Sequence, residues 1–172
     1  FYSDDIEDYY LTPYELGYGP FVKFDHEFIG RKALEAFAKQ KPTRQKVTLA
    51  WDGEDTTKAL GTLFKASKDV AKYIDLPLAN YATLPFDSIT KGGKTVGLST
   101  YTGYSFNERS MLSLAVIDVK HAKPGTKVKL YWGEEDGGST KPTVERHKQI
   151  KIDAVVGPVP YGDTARTAYR PK

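Results

Sequence analysis

From residue 46 onward the chain keeps returning to one arrangement, a short run of alternating apolar and polar residues closed by a Gly- or Pro-containing turn. Alternation at every second residue is the period of a strand with one buried face, so this pattern limits the chain to sheet-based folds. Val47, Leu49 and Trp51 alternate with Lys46, Thr48 and Ala50; Val128, Leu130 and Trp132 alternate with Lys127, Lys129 and Tyr131. A last run sets Ile150, Ile152, Ala154 and Val156 against Lys151 and Asp153. Residues 111–119, MLSLAVIDV, are apolar on both faces and predict a central strand. Gly92-Gly93 forms a tight turn before a strand over 94–101, which is hairpin chemistry, and Pro124-Gly125 turns the chain into 126–132. At least five strands with one inserted helix predict a mainly β (α+β) fold, a small antiparallel β-barrel or sandwich from about residue 44 to 160.

The residues before this region are organised differently. Residues 1–10 mix Asp4, Asp5, Glu7 and Asp8 with aromatics, which suits a surface segment whose rings pack on a neighbour. Thr12-Pro13-Tyr14-Glu15 has the form of a helix start: Thr12 as N-cap, Pro13 at the first position and Glu15 as the capping-box carboxylate. Gly17, Gly19 and Pro20 stop that helix. Residues 21–24 predict a brief strand. A second helix runs from Arg31 to about residue 39, with Gly30 as N-cap and Ala33, Leu34, Phe37 and Ala38 on one face that has something to lie against. The polar stretch QKPTR at 40–44 is the best linker. Beyond it, residues 54–66 predict the inserted helix, with Leu60, Leu63 and Phe64 as its apolar stripe, and 67–74 prolongs it or adds a turn. Three units follow: 1–40, the barrel region 41–160, and a polar tail 161–172.

The 172 residues suffice for one good core. A net charge of +3, with basic residues scattered among acidic ones, lacks the clustered positive field that nucleic acid requires. Without cysteine there is no disulfide, thiolate chemistry or thiolate zinc site. No apolar run has the length of a membrane span, and FYSDDIEDYY lacks the layout of a signal peptide, so the expected location is cytoplasmic. Opening on Phe1 without a Met points to a piece of a longer chain.

No catalytic constellation stands out. His26, His121 and His147 lie far apart among charged residues and read as surface turns; Ser99, Ser105 and Ser110 lack a nucleophile turn and a base. Glu134-Glu135-Asp136 lies in a Gly-rich loop without calcium-ligand spacing and reads as a solvated turn. The stretch 101–110, YTGYSFNERS, sets aromatic, hydroxyl, amide and guanidinium groups between two apolar strands. That mixture suits a planar polar ligand, and it equally suits a loop packing its rings on an adjacent domain.

The segment TPYELGYGPFVKFDHEFIGRKAL resembles the one that closes the folate-binding body of the glycine-cleavage T-protein (aminomethyltransferase) family. LPLANYATLPFD, GKTVGLSTYTGYSFNERSMLSLAVID and YWGEEDGGSTKPTVERHKQIKIDAVVGPVPY resemble more narrowly the tetrahydrofolate-dependent aromatic O-demethylases acting on vanillate, syringate or 3-O-methylgallate. The resemblance implies three domains around a central folate site, the last a small β-barrel. Residues 1–40 would then end the folate-binding domain, and the N-terminal domains of the same protein would be the partner. Implied too are tetrahydrofolate as cofactor, a methoxyarene substrate, and methyl transfer to N5 of the folate, which requires stabilising the departing phenolate. No catalytic residue is assigned to this chain, which is expected to be inactive alone. The barrel is expected to close the folate cavity, with Tyr101, Tyr104, Phe106 and Arg109 nearest and Tyr169 and Arg170 further out. An aminomethyltransferase or sarcosine/dimethylglycine-type folate domain is the alternative within the family, and a non-catalytic interaction barrel the alternative outside it.

Overall fold

The computed structural model describes residues 3–78, 86–138 and 142–169. Six strands carry the fold: β1 (Arg44–Trp51), β2 (Asp87–Lys91), β3 (Lys94–Ser105), β4 (Ser110–Asp118), β5 (Lys127–Trp132) and β6 (Ile150–Gly157). They close into a barrel in the order β1-β4-β3-β2-β5-β6, every neighbour antiparallel. Closure leaves no unpaired edge for another chain to extend. The predicted alternation is the physical cause of the interior: Val47, Leu49 and Trp51, Val128, Leu130 and Trp132, and Ile152, Ala154 and Val156 all belong to one buried cluster. At its centre the Trp51 and Trp132 rings meet edge to face, 5.4 Å apart.

The sequence predicts five strands and the sixth, β2, goes unseen, because DSITK carries too little apolar weight to register as a strand. Ile89 nevertheless points inward, and the Gly92-Gly93 turn joins β2 to β3 as the hairpin reading requires. Two further strand boundaries move. β3 runs on to Ser105, so Tyr101 and Tyr104 stand on a strand and the connection to β4 is only the four residues 106–109. A bulge between Ser99 and Tyr101 shifts the register, setting Tyr101 opposite Leu114 on the outer face while Thr102 faces Ser113 inside.

The helices depart more from expectation. Helix α1 (Arg31–Ala38) forms as predicted, but none of its residues is buried; Leu34 and Phe37 of its apolar stripe share a shallow pocket with Pro13 and Tyr14 instead of joining the core. Helix α2 (Gly53–Thr62) starts one residue early, because the Asp52 carboxylate accepts from the Asp55 amide as a true N-cap. Its buried face is Thr56 and Ala59, and Leu60 packs against the core as predicted, but Phe64 is 89% exposed, so only part of the predicted stripe faces inward. Residues 67–74 are not helical: Ala71 bridges Lys148 in parallel, and Ala71 and Ile74 join the barrel core. The first helix reduces to one turn. Both capping-box bonds are present, Thr12 N to Glu15 Oε2 at 2.7 Å and Glu15 N to Thr12 Oγ1 at 3.2 Å, but Gly17 ends the turn at a φ of 79°. The strand predicted for 21–24 does not form: a 3₁₀ turn, Gly19–Phe21, takes its first residue, and residues 22–24 pair with no strand among the described residues. The tail contains a short helix, α3 (Asp163–Thr167). No described helix is long and apolar enough to cross a membrane.

Candidate functional site

On the outside of the barrel, beside β1, β4 and the far half of β3, lies a groove of about 400 Å3. Thr48, Leu112, Leu114, Tyr101 and Tyr104 form its floor and sides. Its two walls are segments that the sequence did not assign to any site, Leu78 on one side and Val159-Pro160-Tyr161 on the other. Each wall rests on a glycine. A Cβ on Gly103 would lie 2.8 Å from Leu78 Cδ2, and one on Gly157 would lie 2.7 Å from the Tyr161 ring. Gly within a strand often marks such a close approach, and that was the available signal for both walls. Tyr104 N donates to Pro77 O at 2.6 Å, fixing the first wall; Arg166 Nη1 donates to Pro160 O at 2.9 Å and also to Tyr161 O, fixing the second.

The six predicted ligand residues do not stay together. Tyr101 and Tyr104 line the groove and remain 50% and 38% exposed, so both rings are available to a ligand or partner. Phe106 and Arg109 sit at the hairpin tip outside it. There the Arg109 guanidinium stacks on the Phe106 ring, 3.9 Å from its centroid, and Arg109 holds a left-handed φ of 50° to close the turn. Tyr169 is exposed beyond α3 and lines no part of the groove; Arg170 lies outside the described residues, as do residues 79–85 of the stretch between Pro77 and Pro85. The groove is therefore flat-sided, aromatic and poor in hydrogen-bonding groups: besides the tyrosines its lining residues offer the hydroxyls of Thr48 and Ser105, while the buried Ser113 Oγ accepts from Trp51 Nε1 inside the barrel.

At the end of the barrel where β5 stops, charged groups that read as solvated from sequence are buried. Lys72 is fully inaccessible; its ammonium lies 3.1 Å from Glu134 Oε1 and 4.9 Å from the centre of the Trp132 ring. His147, read as a surface turn, is buried with Nε2 2.9 Å from the Glu134 amide, which donates to it, and Nδ1 2.9 Å from Glu145 O. Nε2 also lies 3.0 Å from Glu134 Oε2, so the ring packs against both the amide and the carboxylate of Glu134. Glu134, read as part of a solvated loop, is the centre of this cluster. It ties residues 72, 134 and 147 into a plug, and Trp132 Nε1 adds a bond to Lys72 O at 2.9 Å. The opposite flank is held by Glu15, whose burial pushes its carboxyl up while the Thr12 amide, Arg44 guanidinium and Thr12 hydroxyl together outweigh that effect and hold it below the ordinary glutamate range.

No model of a protein family matches the chain. It is 54% identical over 166 residues to the syringate O-demethylase of a Sphingobium species, covering 96% of this chain and 36% of that protein. It is 32% identical over 169 residues to the sesamin methylene transferase of a Sinomonas species, covering 92% of this chain and 35% of that protein. An aminomethyltransferase of Streptomyces avermitilis is 30% identical over 121 residues, covering 67% of this chain and 26% of the relative. The chain spans about a third of the length of the first two relatives. With those three alignments agreeing, and a small closed antiparallel barrel in place where the resemblance implied one, the chain belongs to the T-protein-like (aminomethyltransferase) family and represents a C-terminal portion of it.

Proposed function

We propose that this chain is the C-terminal barrel of a tetrahydrofolate-dependent aromatic O-demethylase, which moves a methyl group from a methoxyarene of the vanillate or syringate type to N5 of tetrahydrofolate. The observation that carries the reading is the 54% identity with a syringate O-demethylase across 96% of the chain. The names of the other two relatives, a methylene transferase and an aminomethyltransferase, also describe one-carbon transfer.

The groove supports a defined share of the work. A pterin needs several fixed donors and acceptors, which this groove lacks, whereas the benzoyl part of a folate needs flat apolar walls, which Tyr101, Tyr104, Leu114 and Pro160 supply. The barrel therefore closes the cavity over the middle of the folate, and the pterin and the methoxyarene are held by the N-terminal domains. The exposed part of α1, where Phe37 is 43% accessible, is the seam to those domains.

In the transfer the methyl carbon leaves the ether oxygen, the bonding pair stays on the phenolate, and N5 supplies the new pair and loses its proton. Nothing in the barrel is assigned to that proton. The test uses the full-length protein with tetrahydrofolate and syringate or vanillate. Formation of 5-methyl-tetrahydrofolate and the demethylated phenol is the expected result, with no turnover by the 172-residue chain alone. Turnover by the isolated chain, or transfer from amines but not from methoxyarenes, overturns the reading.

A further inference from the structure

Round the barrel from the aromatic groove, past Tyr161, the outer faces of β1, β6, β5 and β2 line a broad cleft of about 900 Å3 whose charges are sorted by side. Strand pairing fixes their places. Asp52 N donates to Asp153 O at 2.7 Å, Asp153 lies opposite Lys129, and Lys129 lies opposite Thr90, so one row crosses from the end of β1 to β2. The next row sets Ala50 beside Val155 and Val155 beside Lys127. Toward β1 the exposed charges are Asp52 and, in the first turn of α2, Glu54; toward β2 they are Lys91 and Lys127. Lys151 of β6 leans toward β5, its Nζ 5.3 Å from the centre of the Tyr131 ring.

Neither side is neutralised within the chain. In the middle Asp153 pairs with Lys129, and on α2 Asp55 pairs with Lys58. Lys91 Nζ donates to a carbonyl, Lys127 O, at 2.9 Å, and the Asp52 carboxylate accepts the Asp55 amide. Among the described residues Lys91, Lys127 and Lys151 have no carboxylate within ion-pair distance, and Asp52 and Glu54 have no cation within it. Between the two sides Val155 is 41% exposed and Ala50 lies beside it. A face with acid on one side, base on the other and an apolar centre is self-complementary: a half turn about an axis through that centre presents acid to base and base to acid, as a two-fold interface requires.

We infer that a second copy of the protein docks on this face, with Asp52 and Glu54 of each copy against Lys91, Lys127 and Lys151 of the other. A small anion is the poorer match, because it meets the lysines and leaves the two carboxylates without a counter-charge. The contacts join exposed side chains, so the dimer is weak and sensitive to salt. The aromatic groove lies over β1, β4 and β3, on the other side of the barrel, and stays open in the pair.

The test is sedimentation equilibrium of the full-length protein at low and high salt. The wild-type protein is expected to dimerise at low salt and to dissociate at high salt. Lys127→Glu with Lys151→Glu sets acid against acid in both contacts, and Asp52→Asn with Glu54→Lys sets base against base while Asn still caps α2. Each pair of substitutions is expected to weaken dimerisation by at least about tenfold, as like charges brought together require. Mixed in equal amounts, the two variants are complementary again and are expected to form a heterodimer, which also shows that both are folded. A wild-type protein that stays monomeric overturns the inference. So does undiminished dimerisation of either variant alone, which puts the contact on another face, or a mixture that stays monomeric.

Discussion

Lys72 Nζ lies 3.1 Å from Glu134 Oε1 with neither side chain more than 9% accessible, a complete ion pair between residues 62 positions apart in sequence. Burying either charge alone costs several kcal/mol, so the pair holds only because both partners arrive together. Trp132 and His147 complete the enclosure, and the loop after β5 is thereby fastened to the segment that follows α2.

Removing one partner should be worse than removing both. Lys72→Ala strands Glu134 and should cost about 3–5 kcal/mol, and Glu134→Ala should cost a similar amount by stranding Lys72. Removing both partners at once, Lys72→Ala with Glu134→Ala, should cost clearly less than the two single effects added together. Urea denaturation of the four proteins closes the cycle, and strictly additive losses would show that the two charges do not stabilise each other.

This pair also marks where the sequence stops being readable. Strand periodicity revealed the barrel because inward residues such as Leu49, Leu130 and Ile152 repeat locally, within reach of a short window. Lys72 and Glu134 carry no local sign of burial; only the barrel's closure brings the end of β5 against the 67–78 segment. The groove was half legible for a related reason. Tyr101 and Tyr104 were identified from composition, but the bulge after Ser99, the long reach of β3 and the stacking of Arg109 on Phe106 depend on pairing with β4 and on turn geometry. Residue types therefore indicated the chemistry, and register decided which of them share a surface.

Gly97 should tolerate no side chain, for a reason independent of its charge surroundings. A Cβ there would sit 2.2 Å from the Val116 carbonyl oxygen and 2.6 Å from Ile117 Cα, so β3 and β4 would have to part. Gly97→Ala is expected to lose about 3 kcal/mol, an overpacking cost at the upper end of the usual range. Gly92→Ala adds a methyl group in open space at a φ of 59°, and should cost less than Gly97→Ala through backbone strain alone. Thermal melts of the two variants compare them directly; equal losses would refute the packing argument.

Glu15 should make the fold acid-sensitive. Its Oε1 accepts from Arg44 Nε at 2.8 Å, and Arg44 in turn donates to Asp8 O and Tyr10 O, so the carboxylate clamps the N-terminal segment to β1. Its folded pKa lies below the ordinary value of 4.5; the stabilisation is therefore fully present above that value and is lost as pH falls through the folded pKa. Glu15→Gln should cost about 1.5–3 kcal/mol at neutral pH, the scale of hydrogen bonds to a charged group. The difference between variant and wild type should shrink as the pH drops below about 4.5. Denaturation curves at pH 7 and pH 3.5 measure it, and a constant difference would place the stabilisation elsewhere.

The two halves of the aromatic stretch should separate in a binding experiment on the full-length protein. Tyr101 is half exposed on the groove side, so Tyr101→Ala should leave the melting temperature nearly unchanged while raising the Kd for tetrahydrofolate about tenfold, the upper end of what one aromatic contact contributes. Arg109 is already engaged with Phe106 outside the groove, so Arg109→Ala should leave folate affinity within about twofold of wild type and act on the hairpin tip alone. The reverse outcome, affinity lost with Arg109→Ala and kept with Tyr101→Ala, would move the folate from the groove to the tip and remove the structural basis for the barrel's share in binding.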